Sequence, residues 1–69
     1  MPTVTNEEIG ARVRERRLAK KVSQEELAEA IDVTPAMVQH YETGRNPLTV
    51  VKLYAIADRL KCSVKRLLP

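Results

Sequence analysis

The chain has 69 residues and a formal net charge of +3 at neutral pH, and 30% of its residues are charged. A chain of this length makes one small domain with a thin hydrophobic core. It contains one cysteine and one histidine, so an internal disulfide is excluded and a structural zinc site has too few ligands. Because the chain has neither a run long enough to span a membrane nor a signal-peptide pattern, the sequence predicts a soluble, cytoplasmic protein without metal or cofactor.

The basic residues are unevenly distributed along the chain. Six of the twelve lysines and arginines lie within residues 12–21, whereas the glutamates are concentrated at 7–8 and 25–29. A basic cluster of this kind can attract polyanions such as nucleic acid. It can equally be an ordinary solvated helix face, so the charge by itself leaves both interpretations open.

Five helices and no convincing strand are predicted, and the first helix runs from about Asn6 to Lys20. Thr5 and Glu8 have the spacing of a capping box, in which each side chain accepts a hydrogen bond from the other residue's backbone N–H. Three residues recur at four-residue steps and therefore share one face of this helix: Ile9, Val13 and Arg17.

The second helix is predicted to begin after Ser23, which forms another capping box with Glu26, and to continue through Ile31. Only Asp32 and Val33 separate it from the N-cap of the next helix. So short a connection forces the two helices to cross steeply, as in a helix-turn-helix. The turn needs one residue in the left-handed region, which aspartate tolerates better than most residues other than glycine.

The third helix is predicted to have a clear start and end. Thr34 suits the N-cap, Pro35 the first helical position and Gly44 the C-terminal cap. Val38 and Tyr41 are predicted to point inward, although the hydroxyl of Tyr41 can also reach water or a phosphate.

The fourth helix is predicted to start after Thr49 and to run to about Lys61, and a last short helix is capped by Ser63. The apolar stripe of the fourth helix comprises Leu53, Ile56, Ala57 and Leu60. The apolar residues that the last helix is predicted to bury are Val64, Leu67 and Leu68. Cys62, just before it, is predicted to be a buried structural cysteine.

In this order and at these spacings, the motifs resemble the helix-turn-helix domain of phage repressors and Cro proteins, the XRE family. The resemblance covers residues 9–68 and rests on Ile9-Gly10, Val13-Arg14, Arg17, "VSQEELA" at 22–28, "VTPAMV" at 33–38, "YETG" at 41–44, "LYAIADRL" at 53–60 and "CSVKRLL" at 62–68. It implies an all-α, compact five-helix domain like that of the lambda repressor, spanning residues 1–69. The second and third helices form the helix-turn-helix at about 23–42, and the third lies in the DNA major groove.

Three residues depart from the family pattern. Asp32 and Lys61 stand where the family usually has glycine, and Arg16 stands where an apolar residue is common. The third helix also begins with Pro35 and Ala36, which gives its start little polar reach. The fold tolerates all of these, but the last leaves few side chains for reading bases.

The resemblance implies two sets of DNA contacts. The residues that map onto base-reading positions are Pro35, Ala36, Gln39 and His40. The residues that map onto contacts with the DNA backbone are Ser23, Gln24, Thr34, Thr43, Arg45 and Asn46. Glutamine can bond adenine bidentately and alanine can contact the thymine methyl group, whereas free N–H groups at helix N-termini favour phosphate.

Arg17 lies on the apolar stripe of the first helix, so its charge is predicted to be partly buried and to need a carboxylate partner. The resemblance implies that Glu42 is this partner, in a structural salt bridge between the first and third helices. The alternative is an arginine whose stem covers apolar surface while its head reaches solvent.

Several side chains remain open to two interpretations. The basic residues that can either reach flanking phosphates or only keep the surface soluble are Arg14, Lys20 and Lys21. Met37 either fills a gap in the packing or makes an apolar base contact. A catalytic pair of Cys62 and His40 would lack a third group to orient it, so the chain is predicted not to be an enzyme.

The predicted function is sequence-specific binding of double-stranded DNA by a transcriptional regulator, a repressor that binds a palindromic operator as a homodimer. The predicted dimer interface comprises Leu48, Val64, Lys65, Leu67 and Leu68. Half-sites about one helical turn apart (~34 Å) are the geometric expectation for such a dimer. The dimer can be weak in solution and form mainly on DNA, and the chain can equally be the N-terminal domain of a longer regulator that has a further domain or partner protein.

A bacterial or phage-encoded protein at the nucleoid is implied, and an antitoxin-like module that neutralises a partner protein is the alternative function.

Thr34 and Pro35 are assigned to starting the third helix, and Val38 and Glu42 to its buried side. Direct readout of bases is therefore predicted to be thin, with DNA shape and phosphate geometry carrying much of the specificity.

Overall fold

The computed structural model describes residues 4–69, so the first three residues of the predicted domain lie outside the described residues. The helices are α1 (Asn6–Ala19), α2 (Gln24–Ala30), α3 (Pro35–Thr43) and α4 (Val50–Arg59), followed by a 3-10 helix (Val64–Leu67). Within residues 4–69 there is no β-strand, and no helix is long and apolar enough to cross a membrane. The all-α prediction is therefore confirmed with four α-helices instead of five.

Each α-helix begins at a hydroxyl side chain that accepts a hydrogen bond from a backbone N–H three residues later. These caps are Thr5, Ser23, Thr34 and Thr49. Both predicted capping boxes are present, completed by Glu8 and Glu26. Ser63 makes no such side-chain bond, and the segment after it closes only one 3-10 turn. A 3-10 helix has poorer hydrogen-bond geometry than an α-helix, which limits it to short pieces.

Within residues 4–69, three residues other than glycine lie in the left-handed region of backbone space. Asp32 has a φ of 60°, as the short turn between α2 and α3 requires. Lys21 and Lys61 have φ values of 57° and 52° and reverse the chain after α1 and α4. Each such residue costs about 1–2 kcal/mol relative to the right-handed region. The sequence indicated this strain at Asp32 but not at Lys21.

The core lies between helices that pack in pairs. α1 and α2 pack against α3, α2 also packs against α4, and both α1 and α4 pack against the 3-10 helix. Its apolar residues are Val13, Val22, Leu27, Ala28, Ile31, Val38, Tyr41, Ile56, Ala57, Leu60 and Leu67. Two predictions about the C-terminal segment need correction, because Leu68 is 38% exposed and Cys62 is only half-buried at the edge of the core. A single 3-10 turn directs Leu67 inward and leaves its neighbour at the surface.

Side chains at the helix ends connect the elements in ways that the sequence did not indicate. The Nζ of Lys52 on α4 donates a 2.6 Å hydrogen bond to the carbonyl oxygen of Ile31, which follows the last turn of α2. A cation at the C-terminal end of a helix is also stabilised by the helix dipole. Arg16 is half-buried, and its Nε has no hydrogen-bond partner within the described part of the chain.

Candidate nucleic-acid interface

α2 and α3 are joined by a turn that sets which side of α3 faces outward. The N–H of Val33 donates a 3.0 Å hydrogen bond to the carbonyl of Ala28, which closes the turn after α2. On α3 the side chains of Val38, Tyr41 and Glu42 are buried. The four candidate base-reading residues lie on the outward side, where three are exposed and His40 is half-buried: Pro35, Ala36, Gln39 and His40.

The inward side of α3 is joined to α1 by a buried ion pair. Nε and Nη2 of Arg17 donate hydrogen bonds of 2.5 and 3.0 Å to the two carboxylate oxygens of Glu42. Nη1 donates a third, of 2.9 Å, to the carbonyl of Val22. Both charged residues are at most 7% exposed. The predicted pair is therefore present, and the bonds to Glu42 raise the pKa of Arg17 above its ordinary value despite burial.

The ion pair extends to the first residue of α2. Nε2 of Gln24 donates a 3.1 Å hydrogen bond to Oε1 of Glu42, so this carboxylate is shared by groups from α1 and α2. One amide hydrogen of Gln24 is thereby used, and the second stays available to an external acceptor. The sequence places Gln24 at the start of a helix but gives no sign of this bond. It arises because the turn brings the N-terminus of α2 beside the C-terminal half of α3.

Two candidate backbone contacts are engaged in starting helices. The hydroxyls of Ser23 and Thr34 accept hydrogen bonds from the backbone N–H groups of Glu26 and Met37. Each hydroxyl oxygen therefore serves first as a cap. Each hydroxyl hydrogen remains free for an acceptor outside the chain.

The remaining candidate contacts follow the outward side of α3. Oγ1 of Thr43 donates to the carbonyl oxygens of Gln39 and His40, at 3.1 and 3.3 Å. Arg45 is exposed, whereas Asn46 is half-buried and its Nδ2 lies 3.4 Å from Sδ of Met37. Met37 is half-buried against the core and holds Asn46, which favours the packing interpretation of this methionine.

Several candidate contacts line one open cleft, of about 730 Å³, between α1 and α3. The lining residues are Ala11, Arg14, Glu15, Leu18, Gln24, Gln39, Glu42 and Thr43. The structure thus brings Gln24, Gln39 and Thr43 together beside Arg14, although they come from three helices. Lys20 and Lys21 are exposed after α1 and do not line this cleft.

The candidate dimer residues are divided between surface and core. Leu67 is fully buried in the core, so its side chain is not available to a partner, contrary to the prediction. Leu48 and Val64 are half-buried, and Lys65 and Leu68 are exposed.

An apolar surface on α4 was not predicted. Val50, Val51 and Tyr54 are 69%, 76% and 62% exposed and lie on one face of the helix. The signal in the sequence was present, since these apolar residues fall outside the predicted stripe of α4.

Within residues 4–69, no group of three histidine, cysteine, aspartate or glutamate side chains is placed to hold a metal ion. Cys62 borders a separate, shallower depression with Tyr54 and Asp58, and His40 does not line it. The candidate interface is therefore made of helix ends and of amide, hydroxyl, imidazole and guanidinium side chains.

Comparisons with known proteins place these features in a family. Residues 13–67 match the helix-turn-helix family. An uncharacterized transcriptional regulator in the ATPase CF(0) region of Rhodospirillum rubrum is 46% identical over 52 residues, which are 75% of this chain and 48% of that protein. The structure of the clp gene regulator ClgR from Corynebacterium glutamicum has a TM-score of 0.87 and 34% identity, over 90% of this chain and 66% of that chain.

The restriction-modification controller protein C.AhdI from Aeromonas hydrophila has a TM-score of 0.84 and 31% identity, over 90% of this chain and 94% of that chain. The chain spans about half the length of the curated relatives it matches. These three proteins are named as regulators, in keeping with the expectation that the chain is not an enzyme. With most of its length matched, the chain belongs to the helix-turn-helix family of transcriptional regulators.

Proposed function

We propose that this chain binds double-stranded DNA sequence-specifically as a transcriptional regulator, with α3 in the major groove. The observation that carries the proposal is the placement of α3. Its inner side is fixed to α1 by the pair of Arg17 and Glu42, while Gln39 on its outer side is exposed beside Gln24 and Thr43. An α-helix of this kind fits the major groove, where base edges present distinct donors and acceptors.

Contacts with phosphates position the domain in this proposal. Gln24 is held by Glu42 and can donate its second amide hydrogen to a phosphate oxygen. Arg45 and Asn46 follow Gly44, the C-terminal cap of α3. They reach the sugar-phosphate backbone near the C-terminal end of this helix. Such contacts fix register and orientation on the duplex without reading sequence.

The proposal is tested by measuring how DNA affinity depends on salt concentration and on the side chain of Arg45. Arg45→Ala should weaken binding about three- to tenfold at low salt and reduce the slope of log affinity against log salt by about 1. The loss should be similar for operator and random DNA, because a phosphate contact does not read bases. Fluorescence anisotropy with labelled duplexes over a salt series measures both quantities.

Arg59→Ala provides the matched control. It removes the same charge from α4, where Arg59 lies 3.9 Å from Glu26 and outside the cleft. Equal effects of the two substitutions would contradict the assignment of Arg45 to the backbone. If the chain showed no salt-dependent DNA binding but co-purified with a small protein, the antitoxin-like alternative would be favoured.

We further propose that two copies act together on a palindromic operator, with the exposed apolar face of α4 at their contact. This face comprises Val50, Val51 and Tyr54 and begins a few residues after Arg45 and Asn46. It therefore adjoins the proposed DNA surface. Three side chains offer far less than the roughly 800 Å² per partner of a stable interface. The pairing is therefore weak in solution and is completed on DNA, and repression follows where the operator overlaps a promoter.

Selection of bound sites from random DNA tests this assembly and the mode of readout together. The expected sites are inverted repeats about 10 base pairs between centres, with few fixed base pairs in each half. Few fixed positions are expected because Gln39 and His40 are the longest polar groups on the outer side of α3. Single, unrepeated sites would exclude the dimer, and long fully specified half-sites would exclude a large share of shape readout.

A further inference from the structure

The cleft between α1 and α3 contains a charge that opposes its proposed use. Glu15 of α1 lines this cleft together with Gln24, Gln39 and Thr43, the groups assigned above to DNA. Its side chain is exposed, and within the described residues it forms no salt bridge. A carboxylate therefore faces the space into which a polyanion has to enter.

The other charges of the cleft are arranged differently. Glu42 also borders it, but this carboxylate is buried and neutralised by Arg17. Arg14 precedes Glu15 on α1 and is the cation of the cleft lining. A phosphate at this position would be attracted by Arg14 and repelled by Glu15.

We propose that Glu15 is an affinity-limiting residue, whose carboxylate repels the phosphates that approach the cleft and lowers the affinity for double-stranded DNA. This inference rests on the proposed function. Interaction between unit charges falls with distance and is weak in water, so one exposed carboxylate moderates binding without preventing it. Because the repulsion acts on phosphates, it reduces binding to operator and to random DNA by similar factors.

The effect of such a charge is to limit retention on double-stranded DNA in general, operator and non-operator alike. Electrostatic contact with phosphates supplies nearly all non-specific binding, and a genome offers a great excess of non-specific sites. Lowering the phosphate-driven affinity shortens each residence on a non-specific site, while the ratio of operator to random affinity stays unchanged.

Glu15→Gln tests the proposal in the full chain. It keeps the size and hydrogen-bonding shape of the side chain and removes its charge. Affinity for a duplex of any sequence should rise about two- to fivefold at low salt, and the gain should shrink as salt screens exposed charges. The slope of log affinity against log salt should become steeper.

Glu29→Gln is the matched control, since Glu29 is an exposed glutamate of α2 in a depression that shares no residue with the cleft. It makes the same change in net charge, and its effect on affinity should be clearly smaller. Equal gains from the two variants, or weaker binding by Glu15→Gln, would overturn the inference while leaving the proposed function intact. If the unmodified chain shows no salt-dependent binding, the proposed function fails and the inference fails with it.

Discussion

Gly10→Ala is expected to destabilise the fold by about 2–4 kcal/mol, although alanine forms helices better than glycine. A Cβ atom at this position would lie 2.6 Å from the carbonyl oxygen of Glu42 and closer still to that of Tyr41. Both obstacles are backbone atoms of α3, which cannot rotate away as a flexible side chain can. α1 and α3 would have to separate, and urea denaturation measures the resulting loss in the free energy of unfolding.

Ala11→Gly is the control for helix propensity at the neighbouring position. Ala11 is exposed on α1, so this change should cost only about 0.5–1 kcal/mol. If propensity decided both sites, Gly10→Ala would stabilise the protein by a similar amount. A Gly10→Ala variant as stable as the unmodified chain would show that the close approach of α1 and α3 is not required.

The separation of the helices also has a consequence for DNA binding. Two of the contacts that position α3 on α1 are the backbone approach at Gly10 and the ion pair of Arg17 with Glu42. We therefore expect Gly10→Ala to weaken DNA affinity even under conditions in which the variant remains folded. Circular dichroism at the concentrations of the binding assay separates loss of fold from loss of position.

Arg17→Ala is expected to destabilise the protein by about 2–4 kcal/mol. The substitution leaves the carboxylate of Glu42 buried, with the amide of Gln24 as its remaining side-chain donor. It also removes the hydrogen bond to the carbonyl of Val22. A buried charge without a counter-charge is costly. Most of the loss in unfolding free energy therefore comes from leaving Glu42 buried and unpaired, and not from the net stabilisation by the ion pair. Urea melts of the variant and the unmodified chain measure the difference.

Two comparisons make this result interpretable. Arg59→Ala removes an arginine from an exposed pair with a 3.9 Å separation from Glu26, and should cost less than about 1 kcal/mol. Replacing both buried partners, with Arg17→Met and Glu42→Leu, should cost less than the sum of the single changes, because no charge is left unpaired. Identical unfolding curves for Arg17→Ala and the unmodified chain would contradict this account.

The starts and ends of the helices could be predicted from the sequence because they depend on neighbours in the chain. A cap such as Thr34 bonds to a backbone N–H only three residues away, and Gly44 takes a φ of 81° that few other residues adopt. The left-handed turn at Asp32 was predicted for the same reason, from the number of residues between two helices. The residues of the candidate site could be named because they occupy definite positions on these helices.

Only the tertiary structure decided which of those residues meet and which face solvent. The bond from Gln24 to Glu42 joins residues 18 positions apart, and that from Lys52 to Ile31 joins residues 21 apart. Both depend on the angles at which helices cross, which no local pattern specifies. At the C-terminus, a 3-10 turn instead of an α-helix buried Leu67 and exposed Leu68.

The cleft shows the same division between local and tertiary information. Glu15 reads in the sequence as one more charge on a solvated helix, and nothing near it in the chain indicates what it faces. The packing of α1 on α3 places it beside Gln24 and Gln39. Local hydrogen bonding thus determined the elements of this protein and their ends, whereas the rotation and crossing of those elements determined the surface that they present.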